Sequence, residues 1–250
     1  MREDVKEAID RVWPDDIVEM SSFDTEESYF YDVHPKLLRA FQRIKNVHPV
    51  HEREADPDPV WFDGSDPDED PADHFETSRS YHLFFVSPEG KDFAFETEIE
   101  TIAEPEFIDE ESKEDEWEET LVEVRGTGRT GWSVAVSLVA PFALIKFGEM
   151  TSFADGSTSE PQIESFGETA PGESIAPEEH FRKTSPREYK ILLNLREKIA
   201  GILEASKIAV LPEEELRMPV PWLRPSNETI TAIEGRPLRV FDAFFFSENL

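Results

Sequence analysis

The 250-residue chain contains no cysteine. That absence excludes disulfides, thiolate zinc sites and cysteine nucleophiles together, and leaves the redox compartment open. Long apolar runs are missing too. The longest, Trp132 to Phe147, is broken by Ser133, Ser137, Pro141 and Lys146, so it reads as protein core. Nothing approaches the ~20 apolar residues that a membrane span requires. Met1 to Trp13 carries alternating charges instead of the apolar centre of a secretory leader, which predicts a soluble, cytoplasmic protein. Positive charge is scarce: 25 Lys or Arg stand against 56 Asp or Glu, a formal net charge of −31.

The acid that is present is concentrated. Glu52 to Glu119 holds 26 Asp or Glu against four Lys or Arg, which leaves only −9 of the net charge for the other 182 residues. Such a field attracts cationic surfaces, repels nucleic acid, and destabilises the folded chain unless cations screen it. The expected partner is therefore a basic protein, with neither nucleic acid nor membrane bound directly. Hydrophobic residues make up 38% of the chain, and 19 are Phe, enough to build a core from large buried rings.

Periodicity outlines the elements. Val5, Ala8, Ile9 and Val12 make one stripe of a first helix ending near Pro14. A second helix is expected to start at Pro35 and to bury Leu37, Leu38, Phe41 and Ile44, with Lys36, Arg39, Arg43 and Lys45 making it locally basic. From Glu52 to Ser78 the chain reads as loop, because prolines and closely spaced Asp leave no apolar period to bury. Tyr81 to Val86 and Asp92 to Ile102 read as strands joined by a hairpin-like turn, Ser87-Pro88-Glu89-Gly90. Further strands are expected from Glu118 to Arg125, from Trp132 to Ala140 after a Gly-rich turn, and from Phe142 to Phe153.

A long helix from Pro186 to Ala205 carries Ile191, Leu192, Leu195, Ile199, Ile202 and Leu203 on one face, and Ser185 with Glu188 has capping-box spacing. Leu238 to Phe246, apolar on both sides, reads as a central terminal strand. This order predicts one α+β domain over 1–250: a largely antiparallel sheet of about five to seven strands, with two N-terminal helices and one long C-terminal helix packed on it. Acidic loops are expected at 52–78 and 103–116, and a mobile loop at 154–176.

Three motifs offer chemistry. Gly126-Thr127-Gly128-Arg129-Thr130-Gly131 matches a dinucleotide-binding fingerprint, but the alternating Ser133 to Val139 that follows is strand-like where a helix N-terminus is needed, so a turn is expected. Asp66, Asp68 and Asp70 have the opening spacing of a calcium loop, yet Pro71 and Thr77 stand where Gly and Glu are required. No preformed cofactor site follows from this; a loosely bound divalent cation is all the clustered carboxylates suggest. His48, His51 and His74, among nearby carboxylates, are the candidate metal ligands by residue type.

Glu96, Glu98 and Glu100 alternate along one expected strand, about 6.6 to 6.8 Å apart. The leading expectation is a non-catalytic, inhibitor- or immunity-like protein that engages a basic protein surface. Glu96, Glu98, Glu100, Asp109, Glu110 and Glu111 would steer the encounter, and Trp61 and Trp117 would anchor it. The alternatives are a metal-assisted hydrolase with a His/carboxylate site, and a salt-adapted protein whose charge has no recognition role.

Overall fold

A computed structural model of the chain describes residues 1–19, 28–53, 78–90, 92–103, 118–153, 158–159, 163, 177–226 and 237–248. In chain order the elements are α1 Glu3–Val12, β1 Ile17–Val18, α2 Tyr29–Gln42, β2 His51–Arg53, β3 Ser78–Arg79, β4 Tyr81–Val86, β5 Asp92–Ala103, β6 Glu118–Ser137, β7 Phe142–Phe153 and β8 Thr158–Ser159. They continue with α3 Pro177–Thr184, α4 Pro186–Ala205, β9 Ala209–Val210, α5 Glu213–Leu216, β10 Arg224–Pro225, α6 Val240–Phe244 and β11 Ser247–Glu248. The protein is thus mixed helix and strand. Among the described residues no helix is long and apolar enough to cross a membrane. The three expected loops fall almost wholly outside the described residues.

The main sheet runs β2-β4-β6-β7-β8, with β5 also on β6 and β9 on β7. Its pairings are antiparallel except β7 with β9. β4 and β5 do not form the expected hairpin. Both pair antiparallel with β6 on the side away from β7: Val86 lies opposite Trp132, and Asp92 opposite Arg129. The two strands therefore run end to end along one side of β6. The excursion between them is drawn out by the chain after α2, through His48 N to Ser87 O at 3.0 Å and Glu89 N to Asn46 O at 3.0 Å. Gly90, at φ +71°, supplies the left-handed backbone this departure needs.

The Gly-rich motif is no turn either. β6 runs unbroken through it for 20 residues. Its glycines make room for neighbours: a Cβ on Gly128 would strike the Phe93 ring of the facing strand, and one on Gly131 would lie 2.6 Å from Val86 O. Since strand continues where a phosphate site needs a helix, the nucleotide reading falls with the turn.

Helices cover both faces of the sheet. On the face bearing His82, Phe84, Val86 and Trp132, α2 packs through Phe30 and Phe41, and Trp132 Nε1 donates to Leu192 O of α4 at 2.7 Å. The other face meets the chain's last apolar run, with ring contacts between Phe142 and Phe244 and between Tyr81 and Phe245. All six residues of β4 are buried in consequence. Trp13 connects α1 to this second layer by donating Nε1 to Ala243 O at 2.9 Å. Most of the buried apolar side chains form one cluster from Val5 to Phe246.

Three further expectations are corrected. Leu238 to Phe246 is not a central strand but contains α6, with Arg239 N donating to Asp242 Oδ2 at 2.6 Å at its start. A short run that is apolar on all sides suits a buried helix as well as a buried strand. α2 begins at Tyr29, capped by Ser28, and Pro35 lies inside it. α4 has the expected bounds, yet the Ser185 side chain makes no cap bond; α3 runs into it, and Ser185 N donates to Phe181 O at 2.8 Å. On α4 the buried residues are Leu192, Leu195, Ile199 and Leu203, whereas Ile191 is exposed.

Candidate functional site

The residues expected to act are described only in part. Glu96, Glu98 and Glu100 do lie on one strand, β5, in alternate register positions opposite Arg125, Glu123 and Leu121 of β6. β7 reaches only to Gly126 of β6, so from Glu96 onward β5 and β6 pair with each other beyond the register of β7. Asp109, Glu110, Glu111, Trp61 and Trp117 lie outside the described residues, as does His74.

Of the histidine candidates, His48 and His51 are described. His48 Nε2 lies 2.8 Å from Asp92 Oδ1, and Arg129 Nε approaches the same oxygen at 3.6 Å, forming a charge cluster at the start of β5. His51 pairs with Phe85, while its neighbour Glu52 pairs with Phe84. Successive strand residues face opposite sides of a sheet, so His51 and Glu52 cannot serve one site there.

Glu52 instead meets two histidines absent from the sequence-based candidates. Its Oε2 is 3.1 Å from His34 Nε2 and 3.5 Å from His82 Nε2. The three ligand-type atoms all fall within 4.8 Å of one another. Each comes from a different element. Phe30, His34 and Phe41 share a stripe of α2 by helical spacing; His82 and Phe84 share a face of β4 by strand alternation; Glu52 shares that face by pairing with Phe84.

Aromatic rings wall the trio. The His82 ring lies 5.1 Å from Phe30, 4.6 Å from Phe84 and 4.7 Å from His34, centroid to centroid. His82 is only 3% exposed, whereas His34 and Glu52 are 21% and 30% exposed, so the site is closed beneath and open to water on one side. Burial lowers the His82 imidazole to about pH 4, and the neighbouring His34 acts in the same direction, while Glu52 opposes both. At neutral pH His82 is uncharged. Its Nε2 is buried and has no hydrogen-bond partner, Glu52 standing at ion-pair distance.

Two signals in the sequence bear on this site. His82 interrupts an otherwise apolar strand, and a polar residue at such a position is more informative than any exposed one. His34 falls four residues after Phe30, but starting the helix at Pro35 hides that spacing. Comparison of the chain with protein-family models, curated proteins and solved structures finds no match.

Proposed function

We propose that this is a non-catalytic binding protein that engages a basic protein surface, in the manner of an inhibitor or immunity protein, through β5 and β6. The supporting observation is the register of these strands: Glu96, Glu98 and Glu100 alternate along β5, and Glu123 stands directly across from Glu98. Like charges directly opposite one another destabilise a strand pair, while Arg125 stands across from Glu96 in the same register. A cationic partner relieves that repulsion as it binds. Between Asp92 and Arg125 the sequence holds 15 Asp or Glu against two Lys or Arg, so the field extends well beyond one contact. Charge of this kind chiefly raises the association rate and selects the partner, while aromatic anchors such as Trp61 and Trp117 supply affinity.

The test is a capture experiment from the native host at low salt, repeated with Glu96, Glu98, Glu100, Asp109, Glu110 and Glu111 changed to Asn or Gln. Basic proteins are retained by the unmodified chain and lost from the substituted one. Equal retention by both would remove the acidic strands as the recognition element.

A further inference from the structure

The buried Nε2 of His82 raises a question that the acidic strands do not answer. A polar atom buried without a hydrogen bond is destabilising, and this one points at a carboxylate and a second imidazole. We propose that His34, Glu52 and His82 bind one divalent transition-metal ion of the zinc class.

Four features carry the assignment. The first is donor chemistry: two imidazole nitrogens and one carboxylate oxygen suit zinc and its first-row neighbours, whereas calcium and magnesium prefer oxygen alone. The second is spacing. Ligands about 2.0–2.2 Å from a tetrahedral zinc stand about 3.4 Å from one another. The two separations measured to Glu52 Oε2, 3.1 and 3.5 Å, bracket that value, and the whole set lies within 4.8 Å. The third is an unmet polar atom. His82 Nε2 is buried with no hydrogen bond, and a metal ion satisfies it.

The fourth feature is rigidity. His82 sits in a strand buried on both faces, between Phe30 and Phe84, so its ring is fixed before any ion arrives. Three protein ligands leave a coordination position free, and the partial exposure of His34 and Glu52 places it on the water side. This site stands apart from the acidic strands in kind: it is compact, nitrogen-rich and half-buried, where they are a diffuse field of oxygens. It is also independent of the proposed partner.

The experiment titrates zinc chloride into chelator-stripped protein against a chromophoric zinc chelator, with excess magnesium present to occupy the diffuse carboxylates. One equivalent of zinc is expected, weakened at least about tenfold by Glu52→Gln and by His34→Gln, and unchanged by His48→Gln and His51→Gln. Cobalt at the same site should give the intense visible absorption of a tetrahedral ion, absent from Glu52→Gln. Both weakened variants change partly exposed residues, and circular dichroism checks that they fold. His82→Gln provides a third test of the same site. Zinc binding that is absent, that magnesium displaces, or that survives all three substitutions overturns the proposal.

Discussion

His82 is a histidine placed where most proteins place an aliphatic residue, and its titration is the clearest consequence at the scale of one residue. Its folded value, about 4, lies below the ordinary 6.5 because burial penalises the imidazolium. The unfolded chain therefore takes up a proton below about pH 6.5 that the folded chain refuses until near pH 4. Stability in the metal-free protein falls as pH drops through this window, by up to about 3 kcal/mol in total. His34 and Glu52 face the same ring, the first lowering its value and the second raising it. Urea unfolding in chelator at several pH values measures the fall in stability, and His82→Phe should flatten the curve between pH 6.5 and 4. An unchanged slope in that variant would place the lost stability elsewhere. The sequence shows a polar residue inside an apolar strand, but not the tilted rings of Phe30, His34 and Phe84 packed against it.

At the scale of elements, β6 is the most instructive. Glycine spacing alone suggests a turn or a phosphate loop, because glycine permits both, yet here each of two glycines answers to a particular neighbour across the sheet. Their substitutions should differ in cost. Gly131→Ala drives a methyl group against Val86 O, a backbone atom in a strand buried on both faces, whereas Gly128→Ala meets the Phe93 ring, which is 37% exposed and free to swing aside. We expect about 2–3 kcal/mol lost in the first case and under about 1 kcal/mol in the second, read by chemical denaturation. Equal costs would mean that β4 yields as easily as an exposed ring. The bounds of α4 are legible because it is long and carries a clear apolar stripe, and the start of β7 because Pro141 precedes it. The last apolar run is not, since a segment buried on every side carries no period that distinguishes α6 from a strand.

Across the whole molecule, charge sets the conditions under which the fold persists. A net −31, most of it between Glu52 and Glu119, repels itself over tens of ångströms at low ionic strength, and salt at about 0.15 M shortens that reach to roughly 8 Å. Moving from about 10 mM to 150 mM salt should stabilise the protein by the order of 1 kcal/mol, about 2–4 °C in melting temperature. Neutralising Glu96, Glu98 and Glu100 should shrink the shift. If the three substitutions leave it intact, the repulsion arises elsewhere in the chain; collapse at low salt with no partner captured would favour salt adaptation over recognition. The sequence by itself determined the charge and its concentration, the absence of thiol chemistry, the long helix and the alternation of the carboxylate row, because composition and short-range period are local properties. Only the tertiary structure decided that β4 and β5 lie end to end, that the glycines belong inside a strand, and that His34, Glu52 and His82 meet. Those facts depend on which segments pair across tens of residues, and strand pairing turns Glu52 toward the two histidines while turning His51 away.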